Sequence, residues 1–152
     1  MVEIKYLKDY PQYLPIVAYW NYKEWHTGEL PFDDIIVRYQ GRMNYAAVPT
    51  TLIAIEDTMP VGSVSLKLDD LPERPDLNPW LASFIVTPDY RGRGIGRLLI
   101  RAAEAAAKEA GVTRLYLFTH TANALYEKEG WTYLDKVKTA EGYVESIYYK
   151  DF

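Results

Sequence analysis

Alternating and continuous runs of apolar residues mark seven strands along the chain. Strict alternation of apolar and polar residues predicts a half-buried strand, and a short continuous apolar run predicts a strand buried on both faces. The second and third strands are separated only by a short turn at residues 57–60, so they are expected to form a hairpin, as are the last two strands. The predicted strands are residues 2–7, 51–56, 61–67, 81–87, 114–119, 131–137 and 143–150.

Apolar residues at helical spacing predict helices between these strands. One helix precedes Trp25, a second covers about residues 33–39, and an alanine-rich third covers residues 97–110. In the third helix, Leu98 and Leu99 begin the apolar stripe that is expected to face the core. The first two helices come before the second strand, whereas the third lies between two buried strands.

The position of the third helix determines how the sheet is expected to be built. A strand, a crossover helix and a strand imply a parallel pair with a right-handed connection. A fourth, short helix, capped by Thr121, then ends at Gly130 before the last hairpin. The predicted order is β-α-α-β-β-β-α-β-α-β-β, an α/β (α+β) fold whose mixed, mostly antiparallel sheet has one parallel pair at its centre. Residues 1–152 are expected to form a single domain.

The turn between the fourth strand and the long helix has the sequence Arg-Gly-Arg-Gly-Ile-Gly, at residues 91–96. The first turn of a helix offers free N–H groups and the positive end of the helix dipole, which together favour an anion. Glycines allow positive φ and a close approach of the backbone to a phosphate. No acidic residue lies between Tyr90 and Ala103, although the protein carries a net charge of −4. The turn therefore predicts a polyanionic ligand. The arginines of this segment are Arg91, Arg93, Arg97 and Arg101.

Two common phosphate-binding motifs do not fit this turn. A Walker-type loop needs a Gly-Lys-Ser/Thr ending, which the chain lacks here. A dinucleotide fingerprint needs a third glycine where Leu99 stands, and an acidic residue roughly twenty positions further on, where residues 115–117 read Leu-Tyr-Leu. The alternative without any ligand is a tight turn whose glycines serve only the packing of the strand against the helix.

These residues make the chain resemble the GNAT superfamily of N-acetyltransferases. The phosphate-binding signature of that family is Arg/Gln-x-x-Gly-x-Gly/Ala after the fourth strand, and Arg91, Gly94 and Gly96 match it in this context. The resemblance covers about residues 61–150, whereas the earlier residues match only in the order of their elements. It implies that the fourth and fifth strands splay apart to admit the pantetheine arm of coenzyme A.

The resemblance also implies roles for individual residues, with acetyl-CoA as the co-substrate and no metal. Backbone amides of residues 91–97 are expected to hold the pyrophosphate, and residues 84–86 to pair with the pantetheine arm as an added strand would. Asn123 matches a residue that hydrogen-bonds this arm, and Tyr126 matches the tyrosine that protonates the departing thiolate. The expected cofactor-binding residues are Phe84, Ile85, Val86, Arg91, Gly92, Arg93, Gly94, Ile95, Gly96, Arg97 and Asn123.

The expected reaction is direct transfer of the acetyl group to a primary amine in a ternary complex. The chain has no cysteine and no convincing Ser-His-acid set, so a covalent acyl-enzyme is not expected. Relatives carry a glutamate early in the fourth strand, where this chain has Trp-Leu-Ala-Ser at residues 80–83. A water relayed through Ser83 is a candidate route for the proton of the amine. Other groups left open as a base are Glu56, Asp69, Asp70, Glu145, His26 and His120.

The acceptor is left open, with a small-molecule amine favoured over a peptide or protein amine. Aromatic residues of the first half are placed where they can line the acceptor pocket, and acids of the loop at residues 69–79 can attract a cationic amine. Packing of the aromatics and solvation of the acids are the alternatives. The alternative functions are a non-catalytic acetyl-CoA sensor and a protein-interaction module. The aromatic residues are Trp20, Tyr22, Trp25, Tyr39 and Tyr45, and the loop acids are Asp69, Asp70, Glu73 and Asp76.

Composition narrows the class of protein further. A net charge of −4 argues against a general nucleic-acid binder, which is usually basic. The absence of cysteine excludes disulfides and thiolate metal sites. No long apolar run predicts a signal peptide or a membrane span, so a cytoplasmic protein without membrane partners is expected. A homodimer remains open, because a sheet edge or an aromatic face would be covered by a second copy.

Overall fold

The computed structural model describes residues 1–152 and has one seven-stranded sheet at its centre. The order of helices and strands along the chain is the predicted one, and the predicted fold class is confirmed. No helix combines the length and the apolar composition that crossing a bilayer requires. The strands are β1 (Val2–Tyr6), β2 (Thr50–Glu56), β3 (Met59–Lys67), β4 (Trp80–Val86), β5 (Arg114–Thr119), β6 (Thr132–Lys138) and β7 (Val144–Asp151). The helices are α1 (Leu14–Asn21), α2 (Phe32–Gln40), α3 (Ile95–Glu109) and α4 (Asn123–Lys128).

The strands lie in the order β1-β2-β3-β4-β5-β7-β6. Every neighbouring pair is antiparallel except β4 and β5, which are parallel. The two parallel strands share a single paired position, Trp80 opposite Tyr116, close to the start of both strands. Beyond that position they diverge, so the splayed central pair is confirmed.

The sheet face covered by α3 holds the largest apolar cluster. Side chains alternate between faces along a strand, and so Leu52 of β2, Val64 of β3 and Leu81 of β4 all point to this side. They pack with Leu99 and Ile100 of α3, which have no exposed surface. Burial of this continuous apolar layer is the main source of stability for the sheet.

The opposite face carries two separate apolar clusters with a polar strip between them. Tyr39 and Ile53 belong to the cluster beneath α1 and α2, and Trp80 belongs to the cluster beneath the loop between β3 and β4. Between Ile53 of β2 and Trp80 of β4 runs β3, which presents Ser63 and Ser65 to this face. The strip is the polar floor of a cleft between two covering layers.

Helix α3 begins at Ile95, two residues before its expected start. Its buried face consists of Ile95, Leu99, Ile100, Ala103, Ala106 and Ala107. Leu98, which was expected in the buried stripe, is 42% exposed. The expected stripe was therefore wrong at Leu98. Each residue turns the helix by about 100°, which places Leu98 at the edge of the buried face that Ile95 and Leu99 define.

The expected cap of helix α4 by the Thr121 side chain is absent, and a neighbouring threonine instead stabilises the turn that precedes the helix. The Thr119 hydroxyl oxygen accepts hydrogen bonds from the N–H groups of Ala122 and Thr121, at 2.9 and 3.3 Å. Thr121 itself makes no side-chain cap to α4. Since Thr119 is the last residue of β5, the turn into α4 starts directly at the end of the strand.

Replacement of Leu99 should destabilise the protein far more than the same change at the neighbouring Leu98. Leu99→Ala removes a side chain with no exposed surface and leaves a cavity, so the free energy of unfolding should fall by about 2–5 kcal/mol. Leu98→Ala is the matched control and should cost less than about 1 kcal/mol. Urea unfolding of both variants measures the difference, and equal losses would contradict this assignment of the buried face.

Candidate active site

The divergence of β4 from β5 leaves one backbone edge of β4 free. Ile85 and Val86 pair with Ser63 and Gly62 of β3 on one side, but no residue of β4 after Trp80 pairs with β5 on the other. Apart from the Val86 carbonyl, which accepts a hydrogen bond from Nε of Arg91, the N–H and C=O groups along this edge are therefore available to an extended ligand lying between the strands. Residues 84–86, expected to bind the pantetheine arm, lie along this edge.

Strand β4 contains one extra residue at the point where it diverges. Ser65 pairs with Ala82 and Ser63 with Ile85, so β4 uses three residues where β3 uses two. Ser83 occupies the bulge with a φ of 52°, in the left-handed region that residues other than glycine rarely adopt. The bulge turns the Ser83 hydroxyl toward Arg42, whose Nη1 donates to it at 3.4 Å.

The free edge of β4 leads into the glycine-rich turn. Gly92 and Gly94 have φ values of 76° and 81°, and a Cβ at either residue would meet no atom within 4 Å. Gly94 is the N-cap of α3, and no side chain caps the first amides of that helix. The amides are consequently both unpaired within the helix and approachable from outside, as an anion site requires.

Gly96 has a different role from the other two glycines. It lies in the first turn of α3, where an added Cβ would come within 3.0 Å of Cζ of Phe84. The glycine lets α3 pack closely on β4. The turn thus combines the two alternatives considered for its glycines, since Gly92 and Gly94 leave backbone open whereas Gly96 serves packing.

The arginines of the turn have partners that lie far away in the sequence. The Nε atoms of Arg97 and Arg101 both lie 3.1 Å from carboxylate oxygens of Glu129, whose side chain is only 6% exposed. Arg93 is 3.8 Å from Glu56, and Nε of Arg91 donates to a backbone carbonyl of β4 at 2.8 Å. Four positive charges therefore face two negative ones, and a net positive patch remains.

Tyr126 lies in α4 with its ring in the main core, packed against Trp131 and Tyr148 at centroid distances of 6.4 and 6.5 Å. The residue is 6% exposed, and burial raises the pKa of its hydroxyl to about 12. The phenol is therefore neutral at physiological pH and keeps a proton to donate. Asn123 is the first residue of the same helix, next to the Tyr148 hydroxyl that donates to Glu127 at 2.6 Å.

A buried arginine that the sequence did not single out lies at the floor of the cleft. Arg42 is 6% exposed, and its Nη1 donates to the hydroxyls of Ser65, at 3.1 Å, and Ser83. Its guanidinium carbon lies 4.3 Å from the ring centroid of Tyr39, whose hydroxyl accepts from Asn21 at 3.0 Å. Arg42 follows α2 with no motif around it, so only the tertiary structure identifies it.

Arg42 opens onto a cavity of about 480 Å³. The cavity contains no aromatic side chain, so the aromatic residues expected near an acceptor do not line it. Tyr39 is fully buried in the cluster beneath α1 and α2, while Trp25 and Tyr45 are about half exposed elsewhere. The lining is mainly charged and consists of Arg38, Gly41, Arg42, Pro49, Lys67, Leu68 and Asp69.

Most of the carboxylates considered as bases already have partners. Asp70 accepts from Lys67 at 2.9 Å, and the buried Glu145 lies 2.8 Å from Nδ1 of His120. His120 also stacks on Tyr143, with ring centroids 5.0 Å apart. Asp69 has no ion pair and lies at the rim of the cavity. No carboxylate therefore lies free on the polar floor beside Ser83.

His26, the other histidine, lies at the end of the helical segment that continues α1. Its Nδ1 is enclosed and has no hydrogen-bond partner. Burial lowers the pKa of His26, and the positive charge of Arg38 lowers it further, with smaller contributions in the same direction from Lys67 and Arg42. The imidazole therefore lies within the field of the cationic groups that line the cavity.

Comparison with known proteins shows one family over most of the chain. Residues 7–131 match the model of the acetyltransferase (GNAT) family. No curated protein matches the chain.

Solved structures with the same fold cover nearly the whole chain. An acetyltransferase of the GNAT family from Streptococcus pneumoniae has a TM-score of 0.73 and 19% identity, over 100% of both chains. YncA from Salmonella typhimurium, determined with its cofactor acetyl-CoA, has a TM-score of 0.74 and 17% identity, over 99% of this chain and 93% of that one. PaiA N-acetyltransferase from Thermoplasma acidophilum, in complex with coenzyme A, has a TM-score of 0.65 and 22% identity, over 100% and 99%.

His26 should titrate below the ordinary histidine value of about 6.5. Nuclear magnetic resonance can follow it readily because the chain has only two histidines, and His26→Gln identifies its signal. Below pH 6.5 the unfolded chain takes up this proton more easily than the folded one, so stability should fall as the pH falls toward the folded-state pKa. Arg38→Gln should move the pKa upward, and an ordinary pKa in the parent protein would contradict the predicted shift.

Proposed function

The chain belongs to the acetyltransferase (GNAT) family, and we propose that it transfers the acetyl group of acetyl-CoA directly to a primary amine. Acetyl-CoA would supply the acetyl group as a reactive thioester. The observation that carries the proposal is the continuity of the free β4 edge with the open amides at the start of α3. The structural neighbours YncA and PaiA contain acetyl-CoA and coenzyme A respectively, which supports the same class of donor.

The turn at residues 91–97 fits a pyrophosphate. Gly92 and Gly94 hold the backbone in left-handed conformations with open space above them, so successive amides can converge on an anion. Gly96, by allowing α3 to pack on Phe84, positions the helix N-terminus at the end of the free β4 edge. The arginines add the positive charge that remains after pairing with Glu56 and Glu129.

Backbone amides of the free β4 edge would stabilise the negative charge that develops on the thioester oxygen. Strand β4 is bonded to β3 on both sides of the bulge at Ser83, through Ala82 before it and Ile85 after it. Donors held in place before the reaction cost no reorganisation when charge develops. Residues 84–86 are thus proposed both to align the pantetheine arm and to polarise the carbonyl.

Tyr126 is proposed to donate a hydrogen bond to the departing thiolate. Its pKa of about 12 lies well above the value of about 8.5 for a free thiol. Complete proton transfer from the phenol to the thiolate is therefore unfavourable, whereas a hydrogen bond that stabilises the thiolate is available at physiological pH, where the phenol keeps its proton. Asn123, from the same helix, would hold the pantetheine arm.

Ser83 is proposed to order the water that carries away the proton of the amine. The Ser83 hydroxyl accepts from Arg42, and a hydroxyl that accepts a hydrogen bond can still donate its own O–H group to a water molecule. The pairing of Asp70 with Lys67 and of Glu145 with His120 supports a relay through water over direct abstraction by a carboxylate. A small amine is the favoured acceptor, since a cavity of about 480 Å³ lies in the range of small-molecule sites.

Gly94→Ala should weaken coenzyme A binding about tenfold, because an alanine at a φ of 81° would pull the amides of the turn out of position. Gly111→Ala is a matched control at the opposite end of α3, with a φ of 87° and equally open space. Both variants should lose similar stability, about 1 kcal/mol. Calorimetric titration with coenzyme A should separate them, and failure of the parent protein to bind coenzyme A would contradict the proposed function.

Tyr126→Phe should lower kcat for amine-dependent thiol release by about 10–100-fold, as expected for loss of a hydrogen bond to a charged group. Tyr148→Phe is the control, since its hydroxyl bonds to Glu127 in the same aromatic cluster. That variant should keep its kcat even if it is less stable. Binding of acetyl-CoA without thiol release for any amine, and without an effect of Tyr126→Phe, would favour a non-catalytic sensor.

A further inference from the structure

Arg42 is a buried cation without a carboxylate partner. No carboxylate oxygen of the chain lies within 4 Å of a nitrogen of its guanidinium group. Its side-chain partners are the neutral hydroxyls of Ser65 and Ser83 and the ring of Tyr39. A buried charge is costly unless an opposite charge compensates it, and lysine and arginine are almost never buried without such a partner. The site is therefore one that an anion from outside the chain would stabilise.

The surroundings of Arg42 reinforce its charge. Arg38 and Lys67 line the same cavity, and Asp69 is the only acidic residue in that lining. Burial lowers the pKa of Arg42, and the adjacent Asp70 raises it only from beyond ion-pair distance, while the Asp70 carboxylate is engaged by Lys67 at 2.9 Å. His26 lies in the same field, since Arg38, Lys67 and Arg42 all lower its pKa. A ligand in this cavity thus meets more positive than negative charge, despite the acidity of the protein as a whole.

Arg42 also lies next to the strand on which the transfer is proposed to occur. Its Nη1 is 3.4 Å from the hydroxyl of Ser83, and residues 84–86 follow directly along the free β4 edge. A group held by the guanidinium would therefore lie only a few bonds from an amine that reaches this edge. The guanidinium fork matches the two oxygens of a carboxylate.

We propose that the acceptor is an amine that carries its own free carboxylate, of the amino-acid class, and that the Arg42 guanidinium binds this carboxylate. The proposal rests on the proposed acetyl transfer and names the substrate class of that site. Arg38 and Lys67 contribute long-range attraction at the mouth of the cavity. The amine nitrogen loses one proton and forms the new amide bond to the acetyl carbon, while the thioester bond breaks and the thiol of coenzyme A is released.

Polycationic acceptors fit this cavity poorly. A polyamine or an aminoglycoside would bring additional positive charge toward Arg38, Arg42 and Lys67, and like charges in a partly enclosed site repel. The loop acids that were considered as an attraction for cations are largely engaged, Asp70 by Lys67 and Asp76 by Arg74. The charges that remain available to a ligand favour a carboxylate.

The test compares matched amines that differ only in the carboxylate. Thiol release from acetyl-CoA would be measured with L-leucine, L-phenylalanine, L-glutamate, β-alanine and 4-aminobutyrate. L-leucinamide, L-phenylalaninamide and 2-phenylethylamine would serve as partners without a carboxylate, and spermidine and kanamycin as polycations. We expect kcat/KM for at least one carboxylated amine to exceed that of its partner without a carboxylate by about 10–100-fold.

Variants then assign the preference to Arg42. Arg42→Gln should raise KM for the carboxylated amine about 10–100-fold, so the ratio of kcat/KM between the carboxylated amine and its partner without a carboxylate should fall by a similar factor. Any effect through the hydrogen bond of Arg42 to Ser83 should lower the activity with both amines alike. Arg38→Gln changes an exposed residue at the cavity mouth and should raise KM for the carboxylated amine several-fold. This increase should be smaller at high salt, because salt screens the attraction between separated charges. The variant also tests the inference if Arg42→Gln fails to fold. Arg74→Gln is the control arginine, since it pairs with Asp76 and Asp135 outside the cavity, and should not alter KM.

Three results would overturn the inference while leaving the proposed function intact. The first is faster turnover of the amides or polycations than of the carboxylated amines. The second is an unchanged preference between carboxylated amines and their partners in both Arg42→Gln and Arg38→Gln. The third is turnover of other amines but of no carboxylated amine, by a protein that binds coenzyme A. Failure to bind coenzyme A at all would instead contradict the proposed function. The calorimetric titration with coenzyme A therefore accompanies every assay.

Discussion

The geometry of the molecule depends on the separation of two parallel strands after a single paired position. A strand in the middle of a sheet normally has both backbone edges bonded, and leaving one edge open is costly unless something else binds there. Here Trp80 and Tyr116 join β4 to β5 near their starts, and the bulge at Ser83 follows as the strands diverge. The open edge is tolerated because β4 stays bonded to β3 and packed against α3.

That separation also places the two parts of the candidate active site on opposite sides of one strand. On one side, Phe84 packs against Gly96 and sets the position of the open amides at the start of α3. On the other side, Ser83 meets Arg42 in the polar strip between the apolar clusters. A ligand threaded along β4 would therefore be approached by a second molecule from the cleft beneath α2, which is the arrangement that direct transfer between two substrates needs.

The distribution of charged side chains over the surface differs from what the net charge of the chain suggests. The chain is acidic overall, yet both the helix N-terminus and the cleft carry excess positive charge. At the helix, Glu129 pairs with Arg97 and Arg101 and holds their side chains beside α4. In the cleft, Arg42 has only neutral partners. The arginines of the turn are therefore partly structural, whereas the buried arginine is the one proposed to bind a ligand.

Local signals in the sequence determined the order of the elements, the parallel step and the glycine-rich turn, because alternation, helical periodicity and glycine spacing act within a few residues of each other. The sequence did not determine which residues meet across the fold. The pairing of Arg101 with Glu129, 28 residues apart, and of Arg42 with Ser83, 41 residues apart, depends on how helices are laid on the sheet. Nothing in the sequence around Arg42 distinguishes it. Only the tertiary structure, through burial and long-range contacts, places its side chain at the floor of the cleft.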